Sequence, residues 1–262
     1  AQVKSAILLA GLTAGVEVRV TEKSLSRDHT ERMLRAMGVD VENDKNQVCL
    51  RPAKRLDPLE IKVPADPSSA AFFVALASLA SQGELVLTDV CLNPTRTGFF
   101  AALRRMGANV QEKKDTTSAG EDIGSVRVKP AQLRSTRITG ELVPSLIDEL
   151  PLLACLAAAA GVDLEITGAA ELRVKESDRI NTVVQNLRAV GAEAEELPDG
   201  MRVRPGSQKF SGTIDPSGDH RIAMAFGILG AATGDGITVK DPQCVAVSYP
   251  RFWEDLRRVV AA

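Results

Sequence analysis

A pattern recurs along the chain: a helix of small and apolar residues, a short strand, then a second helix that closes on a glycine or on basic residues. The first copy runs from Val3–Ala10 through Val16–Val20 to Glu31–Gly38, and the second from Pro67–Phe73 through Glu84–Thr88 to Leu103–Gly107. The third opens at Asp148–Pro151, passes Val162–Thr167 and closes at Leu187–Gly191. The fourth opens at Asp219–Phe226, passes Gly236–Val239 and ends in Phe252–Arg258. Counted between the closing glycines, the period is roughly 70 to 85 residues. That is too long for a solenoid repeat and suits packed α/β units. The opening helices carry Ala, Ser and Leu on nearly all sides, which predicts burial. The strands alternate as half-buried ones do, with Val16, Val18 and Val20 set against Glu17 and Arg19.

Between Arg51 and Pro67 lies a proline-rich, charged stretch, which reads as the crossover between two domains. The expected division is 1–62 and 63–262. The first part then holds one unit where the second holds three, so a further portion of the protein is expected ahead of Ala1.

Composition narrows the class. Hydrophobic content of 44% and charged content of 25% are those of a globular protein. A net charge of −2 gives no overall pull towards nucleic acid or membrane, and 3% aromatics argue against a base-stacking surface. Any anion site must come from local cations such as Arg27, Lys175, Arg179 and Arg221. The cysteines Cys49, Cys91, Cys155 and Cys244 are widely spaced and there are only two histidines, so no metal site is expected and the thiols read as free, in a reducing compartment. The apolar segment Leu150–Gly161 is too short to span a bilayer. With an opening of Ala-Gln-Val-Lys that is unlike a secretory signal, the expected location is the cytoplasm.

The densest chemistry lies in Leu172–Arg179. The apolar spacing of the following segment predicts a helix ending at Gly191, with Ser177 or Asp178 as its N-cap. Glu176 stands three positions before Arg179 and Lys175 four, so a helical turn would put all three on one face. A helix N-terminus with such cations suits phosphates and carboxylates. An isolated cluster of this kind also reads as a capping turn with solvated ion pairs.

Taken together, Lys175-Glu-Ser-Asp-Arg179, Asp219-His-Arg-Ile-Ala-Met224, Ser26-Arg-Asp-His-Thr-Glu-Arg-Met33, Asp66-Pro-Ser-Ser-Ala70 and Asp148-Glu-Leu-Pro151 resemble the 5-enolpyruvylshikimate-3-phosphate synthase family in order and spacing. Gln2-Val-Lys4, Arg27-x-His29-x-Glu31 and Asn93-Pro-Thr-Arg96 resemble its glyphosate-tolerant class. The resemblance implies a two-domain inside-out α/β barrel of βαβαββ units, no metal or organic cofactor, and two small-molecule substrates. It implies transfer of the enolpyruvyl group of phosphoenolpyruvate to the 5-hydroxyl of shikimate-3-phosphate, with release of phosphate. Glu176 matches the proton donor, Asp148 the carboxylate at the attacking hydroxyl, and Lys175 a contact to substrate and intermediate. Arg179 and Arg221 match the clamps on phosphoenolpyruvate, and Gln2, Ser26 and Arg27 the shikimate-phosphate side.

Without the resemblance, Asp148 reads as a helix cap, Arg221 as a surface ion-pair residue and Gln2 as a residue without a role. His29 reads as support for its motif, and His220 has no assigned role. Val247 falls where some family members carry a lysine. Family members also carry a long segment ahead of the position of Ala1, so the chain is expected to act with an N-terminal portion of the same enzyme and to leave one strand of the second domain unpaired. Two alternatives stand beside this: UDP-N-acetylglucosamine enolpyruvyl transferase, and a truncated, non-catalytic ligand-binding or scaffold module.

Overall fold

The computed structural model describes residues 2–206, 209–234 and 236–261. Each repeat folds as one α/β unit. The first runs α1 (Gln2–Ala14), β1 (Val18–Thr21), α2 (His29–Ala36), β2 (Val41–Asp44) and β3 (Gln47–Leu50), and both β1 and β2 pair antiparallel with β3. In the second, Ala65 forms a single parallel bridge with Val90 ahead of α3 (Pro67–Leu79). There follow β4 (Leu85–Cys91), α4 (Gly98–Arg105), β5 (Asn109–Ser118) and β6 (Glu121–Lys129), in the antiparallel order β4-β6-β5.

The third unit runs β7 (Thr136–Ile138), α5 (Leu150–Ala160), β8 (Leu164–Ile166), α6 (Arg179–Ala189), β9 (Glu193–Leu197) and β10 (Gly200–Arg204). Its sheet order is β7-β8-β10-β9, with β7 parallel to β8 and the other pairs antiparallel. This is a βαβαββ unit, and the second unit matches it with the opening strand reduced to a bridge. The fourth runs β11 (Gly212–Ile214), α7 (His220–Thr233), β12 (Ile237–Val239) and α8 (Phe252–Val260), its two strands parallel.

Local chemistry fixes where the helices start. Asp66 accepts from the backbone N–H of Ser68 and Ser69, and Pro67 needs no partner for a missing N–H. Asp178 and Asp219 cap α6 and α7 by accepting from Asn181 N–H and Arg221 N–H. Of the two candidates for the α6 cap, Asp178 takes the position. Gly161 ends α5 in the left-handed region, at φ 65°.

Helices α3, α5 and α7 pack on one another and are buried nearly all round, each also in contact with a strand of its own unit. Each fully buried Leu, Ile or Phe there contributes about 1.5–3 kcal/mol relative to exposure. A separate, smaller core of Leu8, Leu34, Val39, Val41, Val48 and Leu50 holds the first unit. Residues 51–64 between the cores form neither helix nor strand.

The opening helix departs from expectation. Only Lys4, Leu8 and Gly11 of α1 are buried, while Val3 is 75% exposed. One sheet covers one face, and small-residue composition cannot supply a second neighbour. Gly11 sits on that covered face: a Cβ there would lie 1.9 Å from Val18 Cγ2. Val16 is likewise exposed, because β1 begins only at Val18.

All four cysteines are free thiols, Cys91 and Cys155 buried and the others half-buried. Among the described residues no helix is long and apolar enough to cross a membrane, and no His, Cys, Asp and Glu cluster suits a metal ion.

Candidate active site

The starts of the buried helices face the first unit across a cleft of about 500 Å³. Gln2 opens α1, and Ser26 and Arg27 lie on the loop from β1 to α2; these line one side. Asp148, on a 3-10 turn (Ile147–Glu149) leading into α5, lies between them and Lys175, Glu176 and Arg221. Seven of the eight residues singled out in the sequence therefore line one cleft. The eighth, Arg179, is fully buried behind them.

Arg179 joins the two strongest motifs. Its Nε donates to Asp219 Oδ2 at 2.7 Å, Nη2 to Glu176 Oε2 at 2.6 Å and Nη1 to Asp148 Oδ1 at 3.2 Å. Burial opposes its charge, but the bond to Asp219 and the surrounding carboxylates hold it protonated. A buried guanidinium is tolerated only with such partners.

The shared helical face expected for Lys175, Glu176 and Arg179 does not form. A 3-10 turn (Ala170–Val174) ends at Lys175, whose backbone is extended, and α6 begins only at Arg179. Glu176 still reaches Arg179, while Lys175 turns to Glu171 Oε1 at 2.7 Å.

Asp148 is the electrostatic centre. It accepts from Arg27 Nη2, lies 3.2 Å from Arg179 Nη1 and 3.6 Å from Arg221 Nη2. Burial pushes its carboxyl up, but Arg221, Arg27 and Arg179 together outweigh burial and hold it well below the ordinary carboxylate range. It caps no helix with its side chain. Neighbouring Glu149 behaves in the opposite way: burial raises its carboxyl, with Ser68 and Arg221 only partly offsetting that. Arg221 is 17% exposed and paired with two carboxylates, so it is more enclosed than an ordinary surface ion-pair residue. Three cations converging on one carboxylate form a site that anionic ligands can compete for.

On the other side, Ser26 Oγ donates to Glu22, which also takes Lys4 Nζ at 2.8 Å; Lys4 in turn lies 2.7 Å from Glu31 Oε1. His220, at the start of α7, is lowered below its ordinary value by burial and by Arg221. His29 Nδ1 pairs with Glu121 Oε1 at 2.6 Å, outside the cleft lining. Val247 lies on a 3-10 turn and is 80% exposed.

Sequence reasoning did not single out Asp219, Glu149 or Glu22 as site-supporting side chains. An Asp directly before a helical apolar run is an N-cap signal and could have marked Asp219. Glu149 and Glu22 matter only through neighbours distant in sequence, and carry no local signal.

The model of EPSP synthase (3-phosphoshikimate 1-carboxyvinyltransferase) matches residues 1–256. The chain belongs to the EPSP synthase family. It is 50% identical over 263 residues to the 3-phosphoshikimate 1-carboxyvinyltransferase of Sulfurihydrogenibium sp. (strain YO3AOP1), covering 99% of this chain and 61% of that protein. With the enzyme of the same name from Aquifex aeolicus (strain VF5) the identity is 46%, over 99% of this chain and 62% of that one. A solved EPSP synthase from Acinetobacter baumannii superposes with a TM-score of 0.90 at 42% identity, over 99% of this chain and 60% of that one. The mixed α/β fold is thus that of EPSP synthase structures, and the chain spans about three fifths of the length of the relatives it matches.

Proposed function

We propose that this chain supplies the carboxy-terminal part of a 3-phosphoshikimate 1-carboxyvinyltransferase and acts together with an N-terminal portion of that enzyme. The observation that carries the reading is the cleft, where Ser26 and Arg27 of the first unit face Lys175, Glu176 and Arg221 across Asp148, in a chain of this family. In this reading the fold is an inside-out α/β barrel, with a first domain at 1–62 and a second at 63–262. The two separate cores support that division. The free thiols support a cytoplasmic location.

The reaction assigns each group a task. Gln2, Ser26 and Arg27 hold shikimate-3-phosphate, while Arg221 and Lys175 hold phosphoenolpyruvate and its adduct; Arg179, matched by the resemblance to a second clamp, lies buried behind them and holds Glu176 and Asp148 in place. The Glu176 carboxyl gives a proton to the methylene carbon of phosphoenolpyruvate as the 5-hydroxyl oxygen bonds to C2 and its proton passes to Asp148. Phosphate then leaves C2, taking up the proton held by Asp148, while the new methyl carbon returns a proton to the Glu176 carboxylate, restoring the double bond in the product and both carboxyls to their starting states. The lowered Asp148 carboxyl is a poor base in the free molecule. Two anionic substrates offer Arg27 and Arg221 other partners, which lifts its basicity when it is needed.

The test is phosphate release from shikimate-3-phosphate and phosphoenolpyruvate, by this chain alone and after addition of a separately produced N-terminal portion. Release only in the mixture is expected. Substantial turnover by the chain alone would overturn the need for a second portion, and ligand binding without release in the mixture would leave a non-catalytic module. Release with UDP-N-acetylglucosamine in place of shikimate-3-phosphate would reassign the substrate.

A further inference from the structure

The motifs Arg27-x-His29-x-Glu31 and Asn93-Pro-Thr-Arg96 stand far apart in sequence, and the fold brings them together behind the cleft. Asn93, between β4 and α4, is fully buried and uses its whole amide. Its Nδ2 donates to Asp28 Oδ1 at 2.7 Å and to Glu121 Oε2 at 2.9 Å, and its Oδ1 accepts the Thr95 backbone N–H at 2.9 Å and hydroxyl at 2.8 Å. Asp28 follows Arg27 directly, and its other oxygen accepts from Arg32 Nε at 2.9 Å. Glu121 takes His29 Nδ1, and Arg32 Nη1 donates to the Gly120 carbonyl at 2.8 Å. The loop bearing Arg27 is thereby tied to the second unit through polar contacts anchored on the buried Asn93.

The far end of the same turn reaches the opposite side of Asp148. Arg96 Nη2 donates to Ser68 Oγ at 2.7 Å and to Asp66 Oδ1 at 2.8 Å. Ser68 is buried where α3 packs on the turn bearing Glu149, whose Oε1 stands 3.9 Å from Arg221 Nη1. One four-residue turn therefore connects to both Arg27, through Asp28, and Arg221, through Ser68 and Glu149. A buried amide such as that of Asn93, with every donor and acceptor used, fixes one arrangement, because displacing any of its partners strands a donor or acceptor.

We infer that Asn93 and Arg96 are positioning residues, and that the turn they bracket sets the span between Arg27 and Arg221 on either side of Asp148. The functional meaning rests on the proposed reading of those three as site residues. The positioning itself can be measured without any substrate.

The readout is the titration midpoint of the Asp148 carboxyl by carbon-13 NMR, in the chain as it stands, with Arg179 and Glu149 unchanged around it. Arg27→Ala and Asn93→Ala are each expected to raise the midpoint by about one unit, and the double variant no further than Arg27→Ala alone. Arg96→Ala and Arg221→Ala form the matching pair, and carry the test by themselves if Asn93→Ala does not fold. Additive shifts, or a folded Asn93→Ala or Arg96→Ala chain with an unmoved midpoint, would overturn the inference. A joint that is merely structural lowers the melting temperature without moving the carboxyl. Failure of phosphate release beside the expected titration result would overturn the proposed activity and leave the positioning intact.

Discussion

At the scale of single residues the molecule turns on Asp148, which lies in a cage of positive charge. Its folded carboxyl is held below the unfolded value of about 3.9, so the stability it contributes is full above that pH and is lost as pH falls towards the folded midpoint. Asp148→Asn removes this part of the acid sensitivity and releases Arg27 and Arg221 from their shared counter-ion. Calorimetric titration of the variant with inorganic phosphate is expected to show binding tighter than in the parent chain, while turnover of the complemented enzyme falls by about 10²-fold or more. Weaker phosphate binding would mean that the carboxylate does not compete with anions for these arginines. Arg179 does not share that freedom, because Asp219 and Glu176 hold it whatever Asp148 does.

At the scale of elements, what was legible in the sequence was whatever local chemistry decides. Aspartates before apolar runs mark the starts of α3, α6 and α7, and the glycines mark turns after helices, since caps and left-handed positions depend on a few adjacent residues. The motifs that carry Gln2, Arg27, Asp148, Glu176 and Arg221 converge on one cleft because each sits at a helix start or on the loop leading to one. The conformation of 175–178 was not legible: helical spacing allowed a shared face, but the 3-10 turn ends on an extended Lys175 and the backbone bends through 177 before α6 begins at Arg179. Nor was the joining of Asn93 to Asp28, which are 65 positions apart. The packing of α7 on α8 offers a sharp test of an element contact. A Cβ on Gly227 would lie 2.7 Å from the Trp253 ring, and that ring is tied by Nε1 donating to the Pro242 carbonyl at 2.8 Å. Gly227→Ala gains about 1 kcal/mol of helix propensity but overpacks a ring whose retreat would break its bond to Pro242, so a net loss of about 1–2 kcal/mol is expected. Urea unfolding checks this: the midpoint should fall at unchanged slope.

At the scale of the whole molecule, burial of the opening helices depends on neighbours rather than on composition. Helices α3, α5 and α7 share one core and cover one another, whereas α1 has the small core on the face of Lys4, Leu8 and Gly11 and none on the opposite one. Val3, Ile7, Ala10 and Ala14 form an uncovered flank about a quarter turn from the covered face, at spacings of four, three and four, and all are exposed. Such a stripe is the seam along which one helix packs on another. In the proposed enzyme the N-terminal portion covers it, in an interface like a core cut in two. Ile7→Glu puts a charge in the middle of the stripe, where Ile7 is 42% exposed, so the chain alone should melt at an unchanged temperature. Its affinity for the N-terminal portion, and with it the phosphate release of the mixture, should fall by about tenfold or more, since burying an unpaired carboxylate costs more than the roughly 1.4 kcal/mol of one decade. Undiminished complementation by Ile7→Glu would place the interface on another face of the chain.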